Sequence, residues 1–184
     1  MRALDHNWSE TQGESRIREV SSETWAQVRS ERLSLADDID TLSAEAWTAP
    51  SLCAGWRVAD IAGHLVFLAE GSQLRGAWYM WRYGRGVFVN RMIDATARRW
   101  AQATPTELAD RLRVAADGRF RLPGAPPAAA LAEVVIHGED LRRPLSLPER
   151  QRDPIVLVPL LELYRRIGRW FLRRGTRQLR QAGC

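Results

Sequence analysis

Apolar residues recur every three or four positions in each long segment of this chain of 184 residues. In segment 22–42 they follow the period of an amphipathic α-helix, whereas no long segment shows the strict alternation that is typical of a strand. This pattern predicts an all-α protein in which each long helix buries one apolar stripe. In segment 22–42 the stripe consists of Trp25, Val28, Leu35, Ile39 and Leu42, with Arg32 as the exception.

Interruptions of this pattern set the predicted helix boundaries. Residues 1–16 are polar and without a period, so we expect a disordered tail followed by one helical domain over residues 17–180. Proline and glycine end most of the helices, and a capping box that begins at Thr104 restarts one of them. The predicted elements are helix 22–42, a short turn at 43–47, and helices 56–83, 87–103, 105–118, 126–143 and 154–177. We therefore predict a bundle of four long helices with an additional C-terminal helix.

The composition argues against a membrane protein and against a disulfide-stabilised one. The longest apolar segment, residues 155–163, is shorter than the ~18–20 residues that span a bilayer, and the N-terminus lacks a secretory pattern. Cys53 and Cys184 provide neither a disulfide framework nor a Cys-x-x-Cys metal site. We therefore expect a cytoplasmic protein without a membrane segment. The sequence leaves open whether it works alone or as a homodimer.

Arginine supplies all 27 basic residues, and residues 163–184 contain seven arginines and no acidic residue. Such a segment is either a solvated helix face, which we favour, or a contact surface for nucleic acid. No nucleic-acid recognition motif accompanies it. On the favoured interpretation the apolar stripe Leu157, Leu160, Tyr164, Ile167 and Phe171 is buried, and the exposed arginines are Arg165, Arg166, Arg169, Arg173 and Arg174.

One short segment carries a carboxylate and an imidazole at helical spacing. Glu133 and His137 are four residues apart, so on a helix they lie on one face, one turn apart. They flank apolar positions, where a carboxylate is costly to bury unless it is paired or binds a metal. A third polar group, His64, lies in the apolar stripe of another predicted helix. We therefore predict one divalent metal bound by His64, Glu133 and His137, with a coordination position left open as in catalytic zinc sites. Imidazole and carboxylate also suit nickel, iron and manganese.

Three neighbouring residues have two interpretations each. Asp60 and Asp140 each lie one turn from a histidine of the predicted site, so each could accept a hydrogen bond from the imidazole, or each could be an ordinary helix-terminus charge. Cys53 precedes a predicted helix, where a thiol can become a nucleophile. Because no base is paired with it in the sequence, we favour a packing role for Cys53.

Two motifs in this chain resemble those of a known family. Cys53-Ala54-Gly55-Trp56-Arg57-Val58-Ala59-Asp60-Ile61-Ala62-Gly63-His64-Leu65 resembles the signature Cys-x-Gly-Trp-x-Val-x-Asp-x-x-x-His-Leu of the maleylpyruvate isomerase N-terminal domain. Glu133-Val134-Val135-Ile136-His137-Gly138-Glu139-Asp140 resembles the second signature of that domain, Glu-x-x-x-His-Gly-x-Asp. The resemblance covers roughly residues 20–175 and implies a DinB-like four-helix bundle.

The resemblance also implies a chemistry. The matching residues of the family, here His64, Glu133 and His137, bind a divalent metal that is usually taken as zinc. Members of the family are described as mycothiol-dependent enzymes of actinobacteria, in which the thiol binds the metal as thiolate and attacks an electrophilic substrate. The isomerase itself has a second, C-terminal domain without a counterpart in this sequence. The resemblance therefore does not imply isomerisation of maleylpyruvate in particular.

The leading hypothesis is a metal-dependent, mycothiol-using transferase or isomerase that acts on small electrophiles. Arg82 and Arg85, near the aromatic end of the second predicted helix, are the residues we expect to bind an acidic substrate. The alternatives are a non-enzymatic, metal-binding DinB-like module and nucleic-acid binding through the arginine-rich C-terminal helix.

Overall fold

The computed structural model describes residues 4–85, 89–121, 124–148, 150–152, 154 and 157–166, with side chains described for residue 15 and from residue 18 onward. These residues form helices, and their only β contact is one bridge between Pro50 and Arg57. The chain divides into two compact units, Met1–Glu149 and Arg150–Cys184. The predicted all-α fold class is confirmed. The helices of the first unit are α1 (Leu4–Asp40), α2 (Ala44–Thr48), α3 (Val58–Glu70), α4 (Gln73–Gly84), α5 (Val89–Trp100), α6 (Pro105–Val114) and α7 (Pro127–Arg142).

Helix α3 lies at the centre of this helical bundle. All of its residues except Leu68 and Glu70 are buried, because α3 packs against α5, α6 and α7. Helix α1 covers α6 and α7. The approach of α3 to α5 depends on Gly63, where a Cβ atom would lie 2.6 Å from the backbone oxygen of Ala97. The centre of the bundle is therefore a helix that carries one of the predicted metal ligands between three neighbours.

Helix α1 begins much earlier than the sequence predicted. It starts at Leu4, where we expected a disordered tail over residues 1–16 and a helix from residue 22. The segment contains no proline, and a helix that is already packed extends by one hydrogen bond for each added residue. The low apolar content of residues 1–16 therefore did not predict where α1 begins. The domain limits 17–180 stay a prediction.

The single helix predicted over residues 56–83 is wrong. It is divided into α3 and α4 at Gly71 and Ser72, where the Ser72 hydroxyl accepts a hydrogen bond from the Arg75 N–H and caps α4. The ring of Phe120 packs against Gly71, where a Cβ would lie 2.3 Å from the ring. The break redirects the chain, so that α4 packs against α5.

In the second unit, residues 157–166 are helical, which agrees with the additional C-terminal helix. The Arg165 and Arg166 side chains are 59% and 76% exposed, as predicted, and both bind Glu162. Leu160 is buried, but Leu157 and Tyr164 are exposed, so the described part of the predicted stripe is only partly buried; Ile167 and Phe171 lie outside the described residues. Arg169, Arg173 and Arg174 lie outside the described residues. None of the described helices is both long enough and apolar enough to cross a bilayer.

Candidate metal centre

Asp60 fixes the beginning of the helix that carries His64. Its buried carboxylate accepts hydrogen bonds from the Arg57 N–H at 2.9 Å and from the Arg57 guanidinium at 3.1 Å. Although burial acts to raise it, these bonds hold the pKa of Asp60 below its usual value. One turn further on, the His64 side chain points from the buried face of α3 towards α7, and the residue is 3% exposed.

Helix α7 supplies the other two members of the predicted set. Glu133 Oε2 lies 3.2 Å from His64 Nε2 and 3.3 Å from His137 Nε2. The two imidazole rings are 5.2 Å apart and nearly perpendicular, at 88°. One ligand atom from each of the three residues lies within 4.8 Å of the others. The structure therefore brings together the three residues that the sequence predicted as metal ligands.

The carboxylate of Glu133 is charged at neutral pH. Although burial acts to raise it, hydrogen bonds from His137 and His64 lower the pKa of Glu133 to about 2. Its side chain is nonetheless 46% exposed, because it faces an open cavity. The expectation that Glu133 is fully buried is therefore wrong: its carboxylate lies between two imidazoles and is partly open to the cavity.

The second nitrogen of His137 is in contact with Asp140, which is one of the two interpretations that the spacing of Asp140 allowed. Asp140 Oδ2 lies 3.0 Å from His137 Nδ1. Although burial acts to lower it, Glu133 and Asp140 raise the pKa of His137 above its usual value. An acceptor at Nδ1 selects the tautomer whose Nε2 lone pair is available for a metal.

The structure does not bring Asp60 to His64. The Asp60 carboxylate is bound to Arg57, and the buried His64 Nδ1 has no hydrogen-bond partner among the described residues. The ring of Trp56 contacts the His64 ring instead, at 5.4 Å between centroids. Of the two predicted imidazole acceptors, only Asp140 is in contact with its histidine. Asp60 acts on the helix terminus, because Arg57 is closer to the carboxylate and is charged.

Cys53 lies against the candidate centre rather than in a separate packing site. Its Sγ is 3.2 Å from Asp140 Oδ2 and 3.5 Å from His137 Nδ1. Burial and the neighbouring Asp140 raise the pKa of the Cys53 thiol to about 11, so it is protonated at neutral pH. These partners could not be predicted from local spacing, because they are more than 80 positions away along the chain.

Trp56 forms one wall of the centre, a role that periodicity did not indicate. Its ring lies 5.4 Å from the ring of His64 and 6.4 Å from that of His137. The indole N–H donates to Asp94 Oδ1 at 2.9 Å, and Asp94 also binds Arg98 on the next turn of α5. The Arg98 guanidinium donates to the Gly55 carbonyl at 3.0 Å, so α5 holds the segment that carries Trp56.

Residues 28–151 match the family model of the mycothiol maleylpyruvate isomerase N-terminal domain. The match covers most of the described first unit and includes all three members of the cluster. The chain belongs to this family. Comparisons with curated proteins and with solved structures gave no match.

In this member of the mycothiol maleylpyruvate isomerase N-terminal family, the cluster lies beside a cavity of about 300 Å³. His64 and Glu133 line the cavity, and most of the other lining residues are apolar. Helix α4 contributes Gly76, Ala77 and Met80 to the wall.

Arg82 and Arg85, the predicted substrate-binding residues, are not among the residues that line this cavity. Arg82 is two positions from Met80, which places it on the opposite face of α4, where its guanidinium lies over Tyr83 at 5.1 Å. Arg85 follows the end of α4 in a left-handed conformation with φ 49°. The cations that do line the cavity are Arg32 and Arg121.

The donor set of this family member fits a divalent metal. Ligand atoms about 2.0–2.2 Å from a tetrahedral metal are about 3.3–3.6 Å apart. The two contacts of Glu133 Oε2, at 3.2 Å and 3.3 Å, have this spacing, so an ion fits among the three atoms after small adjustments. Two imidazole nitrogens and one carboxylate oxygen, with an open side at the cavity, form the donor set of a catalytic zinc site.

Proposed function

We propose that this protein is a metal-dependent enzyme that uses a small thiol, mycothiol, to transform small electrophilic molecules by transfer or isomerisation. The observation that supports the proposal most strongly is the convergence of His64, Glu133 and His137 beside an apolar cavity. The family description, which names mycothiol and an isomerase, supports the choice of thiol and of reaction class.

His64, Glu133 and His137 would hold the metal, and zinc is the ion we propose. A divalent cation held there would lower the pKa of a coordinated thiol, so that thiolate would be available at neutral pH. Asp140 holds His137 at Nδ1 and so keeps its Nε2 directed at Glu133. Trp56 packs beside both imidazole rings and limits their rotation. The apolar cavity walls exclude water from the body of the substrate.

The thiol of Cys53, which lies against the cluster, is not the nucleophile in this proposal. Asp140 lies 3.2 Å from Cys53 Sγ, and the raised pKa of that thiol keeps it protonated at neutral pH. A protonated thiol is a poor nucleophile. The nucleophile that we propose is therefore a thiol from outside the chain, in line with a mycothiol cosubstrate.

Metal analysis combined with a thiol-conjugation assay tests the proposal. We expect about one zinc per chain after purification, and conjugation of mycothiol to a model electrophile such as monochlorobimane. His64→Ala and His137→Ala should lose the metal and the activity while the protein stays helical. Glu133→Gln should weaken metal binding less, because the amide oxygen still coordinates. Glu139→Gln, on the same helix but outside the cluster, is the matched control and should keep both.

The alternative outcomes separate the competing hypotheses. Stoichiometric metal without turnover of mycothiol or of other small thiols would favour a non-enzymatic metal-binding module. Absence of metal binding by the wild-type protein would contradict the proposal altogether.

A further inference from the structure

Arg32 is a charged residue at an apolar position of α1, the exception in the stripe predicted from the sequence. Its neighbours in the stripe, Val28 and Leu35, are 0% and 2% exposed, and Arg32 itself is 3% exposed. A buried guanidinium is rare unless a carboxylate pairs with it or unless it serves a ligand. The proposed chemistry does not use Arg32.

The contacts of Arg32 do not neutralise its charge. Its Nη1 donates to the backbone carbonyls of Ala116 at 3.1 Å and Gly118 at 2.6 Å. The Nε and Nη2 groups have no hydrogen-bond partner among the described residues. Asp117, the nearest acidic influence, is 81% exposed and pairs with Arg29. Burial accordingly lowers the pKa of Arg32 to about 10, and it still carries its charge at neutral pH.

Arg32 lines the same cavity as His64 and Glu133. The remaining walls are mostly apolar and come from α3, α4, α5 and α7, with Phe120 closing one side. The second cation of the lining, Arg121, is exposed, and its Nη1 binds the Ala125 carbonyl. The cavity therefore combines the candidate metal centre, an apolar body and one buried cation.

We propose that this cavity binds an organic monocarboxylate, with the carboxylate on Arg32, the apolar body against the cavity walls and the far end of the molecule beside His64 and Glu133. The proposal rests on the proposed function, since it names the class of electrophile that the enzyme accepts. A guanidinium with three N–H groups still available suits a carboxylate, which it can bind through two parallel hydrogen bonds. Arg32 is the one buried cation of the lining, since Arg121 is exposed and binds the Ala125 carbonyl, and the mostly apolar walls disfavour sugars, dicarboxylates and phosphates because of their additional polar groups.

Binding of two unreactive probes tests this assignment. Octanoate and 1-octanol have the same chain and differ in the charged group. The full-length protein is freed of metal with a chelator, so that the carboxylate cannot bind an ion, and dissociation constants are measured by calorimetry. We expect octanoate to bind at least about tenfold more tightly than 1-octanol, which is the scale of a charge-assisted hydrogen bond. Equal affinities, or no binding of octanoate, would overturn the proposal.

Three variants assign the preference to a residue. Arg32→Met should abolish the preference for octanoate. 1-Octanol should bind within about threefold of wild type, because the apolar surface that its chain buries in the cavity is unchanged. Arg32→Lys keeps the charge and should keep part of the preference, which preserves the test if the methionine variant does not fold. Arg121→Gln removes the other cation of the cavity lining, and this variant should keep most of the preference for octanoate. A preference that survives Arg32→Met, or that Arg121→Gln alone abolishes, would contradict the role of Arg32.

These measurements are independent of the thiol chemistry. Neither probe is an electrophile, and neither metal nor thiol is present. Failure of octanoate selectivity therefore leaves the proposed enzymatic function standing. Conversely, selective binding without any thiol turnover would leave the cavity assignment standing and remove the enzymatic one.

Discussion

Two aspartates each lie one turn from a histidine of the candidate metal centre, but their carboxylates have different partners. Asp140 contacts His137 Nδ1, whereas Asp60 is bound to Arg57 at the beginning of α3. Spacing alone gives both the same predicted role. The difference arises because a charged guanidinium and a free backbone N–H compete with the imidazole for Asp60.

Neutralising each aspartate should therefore have a different effect. Asp60→Asn should lower the free energy of unfolding by about 1–2 kcal/mol, since it weakens charge-assisted hydrogen bonds of a buried carboxylate. Asp140→Asn should leave the metal-free protein about as stable as wild type but weaken metal binding by about 10–100-fold. Urea unfolding and competition with a metal-binding dye measure the two quantities. The same effect from both substitutions would contradict the division of roles.

Helix packing shows where periodicity was sufficient and where it was not. The 3–4 spacing predicted the all-helical fold class and most of the stripe of α1 correctly, because burial of one face determines both. It did not reveal the break at Gly71 and Ser72, since a single glycine and serine are compatible with a helix interior. Phe120, remote in sequence, packs on Gly71 and accounts for the break. The cavity wall on α4 depends on this break; Arg82 and Arg85 do not line that cavity, and their role in substrate binding stays a prediction.

Two helical glycines should respond in opposite ways to substitution by alanine. A Cβ at Gly63 would lie 2.6 Å from the Ala97 oxygen, whereas a Cβ at Gly138 would meet nothing closer than Leu35 Cδ1 at 4.0 Å. We expect Gly63→Ala to destabilise the protein by about 1–3 kcal/mol, because α3 and α5 must separate. Gly138→Ala should be neutral or stabilise by up to about 1 kcal/mol, because alanine favours the helix. Thermal unfolding of the two variants compares them directly. Destabilisation by Gly138→Ala as large as that by Gly63→Ala would show that close helix approach is not the cause.

An ion pair between α3 and α6 makes stability depend on pH. Glu70 accepts two hydrogen bonds of 2.7 Å from the Arg111 guanidinium, which hold the pKa of Glu70 below its usual value. A lowered pKa in the folded state stabilises the protein at neutral pH, and this stabilisation is lost as the pH falls through that pKa. Glu70→Gln should therefore cost about 1 kcal/mol at neutral pH, a modest amount because Arg111 is 41% exposed.

In urea unfolding experiments the difference between wild type and Glu70→Gln should begin to shrink once the pH falls below the ordinary pKa of a glutamate, ~4.3, and should vanish only as the pH passes through the lowered pKa of Glu70. Glu23→Gln, at an exposed position of α1, is the control and should have little effect across this pH range. A pH-independent difference for Glu70→Gln would indicate that packing, and not charge, links α3 to α6.

At the scale of the whole molecule, the candidate metal centre joins segments that are distant in the sequence. His64 belongs to α3, and Glu133 and His137 belong to α7. The sequence predicted these three residues because Glu133 and His137 share one helix face at four-residue spacing and because His64 interrupts an apolar stripe. It could not predict Trp56 as a wall or Cys53 as a neighbour of Asp140, since these contacts depend on how the segment before α3 meets the end of α7. The sequence indicated that Arg32 lies in an apolar stripe. It did not indicate that Arg32 lines a cavity.

Metal binding should stabilise the fold, because the ligands come together only in the folded chain. At a free metal concentration 100 times the dissociation constant, the gain is about 2.7 kcal/mol, which corresponds to roughly 5–10 °C in Tm. Differential scanning fluorimetry with buffered zinc measures the shift. His64→Ala should abolish it, while Glu139→Gln should retain it. An unchanged Tm of the wild-type protein in saturating zinc would count against a metal centre that links α3 to α7.

The backbone N–H of Leu52 donates to the carbonyl of Asp140 at 3.0 Å and fastens the segment before α3 to α7. While this hydrogen bond is intact the amide is protected from exchange with deuterium. Its exchange rate therefore measures how often the segment before α3 separates from α7. The same events would carry Trp56 and Cys53 away from the imidazoles. The hydrogen-exchange rate of the Leu52 amide therefore reports how often the centre becomes accessible. Saturation of the centre with zinc should lower this rate.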